Sequence, residues 1–156
     1  MNDFEIISYR SEFKSAFKAL NEEWITKYFK MEESDFKALD HAEKYIIQKG
    51  GQIFIALLNQ EAVGVCALIK MNNSVYDFEL AKMAVSPKFQ GNKIGFFLGS
   101  AAIDYAKGVG AKAIYLESNT LLAPAIQLYR KLGFNEISGY PSPYQRVDIQ
   151  MSLSII

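Results

Sequence analysis

The stretch MAVSPKFQGNKIG, Met83 to Gly95, gathers residue types that could hold an anion. Apolar residues that read as the end of a strand meet Pro87, which has no N–H to donate and resists a continuing central strand. Gly91 and Gly95 follow. They permit positive φ and close backbone approach where a new helix would present free N–H groups and the positive end of its dipole. That is the chemistry of a phosphate cradle. Turns with two glycines before a helix also occur without any ligand, so the stretch alone leaves both readings open. It lacks the Gly-Lys-Ser/Thr ending of a triphosphate loop and the G-x-G-x-x-G of a dinucleotide site, and supports neither an ATPase nor a dinucleotide enzyme.

The other reactive residue types are scarce. Cys66 is the only cysteine, so no intrachain disulfide can form, and it lies in the apolar run AVGVCALI, where a small buried core residue is expected. His41 is the only histidine and reads as a surface helix residue. A zinc site of the Cys/His type lacks ligands, and no metal is expected.

These residues need elements to position them. FEIISYR (4 to 10) reads as a strand, ended by Ser11 as a helix cap, after which Phe13, Phe17, Leu20, Trp24 and Tyr28 recur at three- and four-residue steps. A more polar connection with a second short helical pattern runs to the Gly50-Gly51 stop. QIFIALLN and AVGVCALIKMN form a hairpin through Asn59-Gln60-Glu61, and Asn72-Asn73-Ser74 turns the chain into a third antiparallel strand, from near Val75 to Val85 or Ser86. Ile94, Phe97, Leu98, Ala101, Ala102 and Tyr105 trace a helix face closed by Gly108 and Gly110. AKAIYLES is a strand, LAPAIQLYRKLGF a helix with Pro124 in its first turn and Gly133 at its end, and YQRVDIQMSLSI a last strand or pair. The expected fold is a single α/β domain, residues 1–156, with a mixed, mostly antiparallel central sheet of six to seven strands and helices on both faces.

Composition fits that domain. Half of the 156 residues are apolar and 22% are charged, the balance of an ordered globular chain. Lys plus Arg and Asp plus Glu number 17 each, so no global field draws nucleic acid or an anionic membrane, and neither partner is expected. The N-terminus has acidic residues where a signal peptide needs basic ones, and no stretch approaches the ~18 apolar residues of a membrane span. A cytoplasmic protein is expected.

Taken together, ELAKMAVSPKFQGNKIG, LESN and APAIQLYRKLGF resemble the GCN5-related N-acetyltransferases, whose acetyl-CoA motif is Arg/Gln-x-x-Gly-x-Gly/Ala after a strand. Three separated motifs occur in the family's order, over residues 52 to 139 and, by element order, nearly the whole chain. One position departs: the first motif glycine falls on Lys93. Either Lys93 adopts the glycine conformation or the loop is reshaped, and its ammonium is either solvated or paired with a CoA phosphate.

The resemblance implies an acetyl-CoA-dependent N-acetyltransferase that acts by direct attack of a primary amine in a ternary complex. By it, the backbone of Met83, Ala84 and Val85 holds the pantetheine arm beside a bulge, and Gln90, Gly91, Asn92, Lys93, Ile94 and Gly95 cradle the pyrophosphate. Asn119 matches a cofactor-bonding position, its alternative being a turn residue ending a strand. Glu79 matches a glutamate that takes the amine proton, often through water, with a salt bridge or a solvent-facing residue as the alternative. Tyr129 matches the general acid that protonates the leaving thiolate, or else an aromatic packed on its helix face. With an ordinary tyrosine pKa near 10 and a thiol near 8.5, that proton transfer is uphill by about 2 kcal/mol.

Trp24 and Tyr28, with Glu32, Glu33 and Asp35 nearby, fall where the family builds its substrate wall. Aromatics beside carboxylates suit a cationic amine, yet Trp24 and Tyr28 also continue the apolar stripe of their helix, and both readings stay open. The acceptor is a small-molecule or peptide amine, and many relatives dimerise through edge and C-terminal strands. The competing reading is a non-catalytic acyl-CoA-binding or sensing domain that keeps the cofactor loop and lacks an amine site.

Overall fold

The computed structural model describes residues 4–156, so residues 1–3, which the sequence reading includes in the domain, lie outside the described residues. A seven-stranded sheet forms the centre. Its strands are β1 (Phe4–Ser8), β2 (Gln52–Leu58), β3 (Glu61–Lys70), β4 (Phe78–Val85), β5 (Ala113–Ser118), β6 (Asn135–Ile137) and β7 (Ile149–Ser154), in the order β1-β2-β3-β4-β5-β7-β6. Every neighbouring pair is antiparallel except β4 with β5. Helices α1 (Lys14–Tyr28) and α2 (Glu33–Asp40) cover one face, and α3 (Ile94–Gly108) covers the other, flanked by α4 (Ala123–Lys131).

Period-two burial divides the core. Ile53, Ile55, Val65 and Ala67 pack with Phe17, Ile25 and Leu39 of α1 and α2, while Phe54, Cys66, Leu68 and Leu80 pack with Ile94, Leu98 and Ala102 of α3. Phe17, Ile25, Ile53 and Leu98 are fully buried. Burial of each such side chain contributes roughly 1.5–3 kcal/mol relative to leaving it exposed.

Local chemistry shifts several expected boundaries. Ser11 does not cap α1: the chain enters through a 3-10 turn, Ser11–Phe13, with no side-chain cap bond, and β1 ends at Ser8. The hairpin turn is two residues long, because Asn59 and Gln60 both take the positive φ of a tight primed turn and Glu61 already pairs with Leu58. β4 starts at Phe78, since the Asn73 side-chain oxygen accepts the N–H groups of Val75 (2.7 Å) and Tyr76 (3.0 Å) and holds them in a turn. The last strand begins at Ile149, leaving Tyr144 to Asp148 as loop.

Two glycines let helices sit close. A Cβ on Gly64 of β3 would lie 2.9 Å from Ile94 Cγ2, so the first turn of α3 rests directly on the sheet. A Cβ on Gly99 would lie 2.5 Å from Leu132 Cδ1, so the end of α4 seats in a notch of α3.

Candidate functional site

β4 and β5 pair only at Phe78 with Ile114 and Glu79 with Tyr115. From Leu80 to Val85 the side of β4 that would face β5 has no strand partner. A cleft of about 640 Å³ opens there and runs from the loop before α3 to the tip of α1.

A bulge shapes the β4 wall. Val65 stands opposite Ala84 and Ala67 opposite Ala81, so β4 carries one residue more than β3, and Lys82 takes up the extra length at φ 53°. The insertion reverses the alternation: Phe78 and Leu80 point to the α3 face, and so do Met83 and Val85, while Ala84 joins the α1/α2 core. Met83, Ala84 and Val85 all line the cleft with their outer backbone unpaired by strand.

Beyond β4, Ser86 turns the chain into a short 3-10 turn, Pro87–Phe89. Gly91 sits at φ 89° and Lys93 at φ 63°, so Lys93 adopts the left-handed conformation itself and stands as the residue before α3. No side chain caps that helix start. Gln90, Gly91, Lys93, Ile94 and Gly95 line the cleft; Asn92 does not, and its amide donates to the Phe89 carbonyl at 3.0 Å. The free first-turn N–H groups and the dipole end fit a phosphate group.

Asn119 lines the cleft but serves the loops. Its amide donates to the Arg146 carbonyl at 2.6 Å and its oxygen accepts Leu121 N–H at 2.8 Å, leaving one N–H for any ligand.

Tyr129, on α4, reaches the cleft and packs edge-on against Phe134 at 6.3 Å. Burial pushes its hydroxyl up to about 12, with the nearby Cys66 thiol adding to the rise. It is therefore a protonated donor at neutral pH. The uphill gap to a thiolate near 8.5 widens to roughly 5 kcal/mol, which a hydrogen bond to the leaving sulfur has to offset. Glu79 faces the opposite end, where desolvation, then repulsion from Glu117, pushes its carboxyl up to about 8 against the pull of Lys82. That range suits a group exchanging a proton with an amine.

Trp24 and Tyr28 both line the end of the cleft at the tip of α1, Tyr28 about half exposed and Trp24 donating its indole N–H to Asn21 at 3.2 Å. The carboxylates expected beside them are committed elsewhere. Glu33 pairs with Lys37 at the surface (3.7 Å), and Glu32 forms a capping box with Asp35 at the start of α2. Asp35 is wholly buried. It accepts Lys82 Nζ at 2.6 Å and both terminal nitrogens of Arg146 at 2.7 Å, which hold its carboxyl down at about 2 against the cost of burial. Lys82 also donates to the Tyr144 hydroxyl (2.9 Å), and the centroid of the Tyr144 ring lies 4.6 Å from the Lys82 ammonium and 4.4 Å from the Arg146 guanidinium.

Lys82, Glu117, Tyr144 and Arg146 line this end and were not expected from sequence. Glu117 accepts hydroxyl bonds from Tyr115 (2.8 Å) and Ser142 (2.9 Å), so it stands fixed near Glu79. A charged residue inside the β-rich run ELAKMAV was the one available signal. Among the described residues no group of His, Cys, Asp and Glu could hold a metal ion.

Comparisons agree with this geometry. Residues 14–134 match the acetyltransferase (GNAT) family. The uncharacterized N-acetyltransferase YjgM of Escherichia coli K12 is 32% identical over 100 residues, spanning 64% of this chain and 60% of that protein. Among solved structures, a GNAT-family acetyltransferase of Staphylococcus aureus Mu50 superposes with a TM-score of 0.87 at 24% identity, covering 97% of this chain and 98% of that one. The acetyltransferase yncA of Salmonella typhimurium, solved with acetyl-CoA, superposes at 0.74 and 18% identity over 97% and 94%.

Proposed function

The chain belongs to the GNAT acetyltransferase family, and from that premise we propose that it transfers the acetyl group of acetyl-CoA to a primary amine by direct attack within a ternary complex. The observation that carries the reading is the placement of a raised-pKa carboxyl, Glu79, and a protonated phenol, Tyr129, in one cleft with the unpaired backbone of β4.

Each part then has a task. The N–H groups at the start of α3 and the positive end of its dipole hold the pyrophosphate, and β4 bonds the pantetheine amides as a missing strand would. The amine arrives past Trp24 and Tyr28 and gives up a proton to Glu79, directly or through water. Neutralising a lysine-type amine of pKa about 10.4 at pH 7 takes roughly 4–5 kcal/mol; Glu79 accepts that proton in its ionised form, whose share grows as pH rises toward about 8, and as a base it is better matched to the amine than an ordinary carboxylate. The neutral nitrogen attacks the thioester carbonyl carbon; the C–N bond forms, the C–S bond breaks, the sulfur takes its proton from Tyr129, and the proton still carried in excess by the acetylated nitrogen passes to the tyrosinate, directly or through water. No metal enters the scheme.

The test is a thiol-release screen of amines with acetyl-CoA, each product confirmed by mass. Release with an acetylated amine supports the reading; tight acetyl-CoA binding without release across a broad panel supports the sensing domain instead. Within an active pair, Tyr129→Phe lowers kcat by about 100-fold or more while acetyl-CoA affinity stays within about twofold. An unchanged kcat removes the acid role.

A further inference from the structure

Lys82 touches both halves of the cleft. Its backbone forms the bulge beside the pantetheine wall, and its side chain is buried, with the ammonium on Asp35 and Tyr144. A side chain other than glycine rarely adopts φ 53° inside a strand, because its Cβ crowds the neighbouring backbone. Something outside the strand has to hold it there. Asp35 is placed to do so: it is buried on α2, accepts Lys82 at 2.6 Å, and is itself fixed by the Glu32 N–H at 2.9 Å and by Arg146.

We propose that Lys82 is a positioning residue for the cofactor: the pull of Asp35 on its ammonium keeps the left-handed bulge in place, and the bulge keeps Met83 to Val85 in the register that bonds acetyl-CoA. This rests on the reading of the cleft as an acetyl-CoA site. Without the extra residue, β4 continues the alternation of Phe78 and Leu80, placing position 84 on the α3 face and Met83 and Val85 on the other. The unpaired edge that faces the cleft would then carry the wrong set of N–H and C=O groups. Asp35 thus acts on a ligand it does not touch, for it lies outside the cleft lining.

The same carboxylate reaches the loop over the acceptor end. Arg146 joins it bidentately, the Arg146 carbonyl accepts the Asn119 amide, and Gln145 N–H donates to Glu32 at 3.0 Å. The link therefore runs from the bulge of β4 through α2 to the end of β5.

Two substitutions separate the backbone from the charge. Lys82→Ala and Lys82→Gly both remove the ammonium and leave Asp35 with Arg146, but only glycine adopts positive φ without strain. Acetyl-CoA affinity is measured calorimetrically on folded protein, with thermal melting recorded alongside. Lys82→Ala is expected to weaken binding by about tenfold, and Lys82→Gly to bind at least about threefold tighter than Lys82→Ala. Asp35→Asn, away from the ligand, weakens acetyl-CoA binding in the same direction as Lys82→Ala. A role confined to stability lowers the melting temperature of all three and leaves the affinity of the folded protein unchanged, and that result overturns the proposal. Equal weakening in Lys82→Gly and Lys82→Ala overturns it as well. Should Lys82→Ala fail to fold, Asp35→Asn with wild-type affinity overturns it on its own. A wild type that binds no acetyl-CoA removes the functional reading and this inference together, whereas wild-type binding with unaltered variants removes the inference alone.

Discussion

At the α3 end of the cleft, the proposed cofactor end, the groups that face the opening belong to the backbone, namely the unpaired edge of β4 and the first N–H groups of α3; at the α1 end, the proposed acceptor end, they are side chains, charged and joined across long stretches of chain. The first kind of site tolerates change in sequence so long as the chain path is kept. The second depends on a few atoms. One buried carboxylate, Asp35, receives a lysine 47 residues away and an arginine 111 residues away, so a single deletion there takes the ion-pair partner from Lys82 and leaves Arg146 only its longer contact with Glu32, at 3.4 Å.

Breaking this comparison starts with the largest effect. Asp35→Ala is expected to destabilise the fold by about 3–5 kcal/mol, because it strands buried charge; urea denaturation measures it, and a loss under about 1 kcal/mol shows that the network contributes little. Next, Glu79→Gln should reduce kcat by about 100-fold, roughly 2.7 kcal/mol, and abolish the rise of kcat/KM toward a pH of about 8 that is expected of wild type. A profile that keeps that limb in the variant assigns the proton to another group.

The two carboxyls also give opposite pH signatures in stability. The Glu79 pKa is raised on folding, so the native state binds the extra proton between the ordinary carboxyl range and about 8, and stability falls as pH rises through that window. Glu79→Gln then gains stability relative to wild type at pH 8, by about 1–2 kcal/mol after allowance for the open cleft. The Asp35 pKa is lowered on folding, so its contribution of about 2 kcal/mol is present above the ordinary carboxyl range and is lost as pH falls toward about 2. Melting temperatures from pH 2 to 9, in wild type and each variant, separate the two slopes. A slope of the same sign at both groups refutes the contrast.

The smallest effect sharpens the cofactor side. Lys93→Gly relieves a left-handed side chain and is expected to change stability by at most about 1 kcal/mol in the favourable direction, the strain relieved exceeding the entropy lost. A tenfold loss of acetyl-CoA affinity in that variant instead identifies the ammonium as a ligand of the cofactor.

Legibility in the sequence follows the same division. Pro87, Gly91 and Gly95 announce backbone events within a dozen residues, so the end of β4 and the loop before α3 could be read directly; of the two alternatives the sequence leaves open at Lys93, the residue takes the left-handed backbone itself. The mixed sheet with helices on both faces, expected with six to seven strands and found with seven, followed from hydrophobic period together with the turn and cap residues. Arg146 and Tyr144 were absorbed into an expected final strand, because pairing with Asp35 and Lys82 leaves no local pattern. Glu32 and Asp35 looked like substrate carboxylates and instead start a helix and anchor a bulge, a distinction fixed only by what folds against them.

The brevity of the β4–β5 ladder also has a mechanical meaning. The sheet amounts to two plates, β1 to β4 built from residues 4–85 and β5 to β7 from residues 113–154, joined at one end by two ladder pairs and by the bonds of Asp77 to Lys112 and Ala113, and laced at the far side by the Asp35 network. A ligand lying along β4 and reaching Asn119 and Tyr129 on the opposite wall would bridge the plates where they part. Rigidity would then arrive with the substrate, and amide exchange along β5 would slow on binding although none of its backbone need touch the ligand.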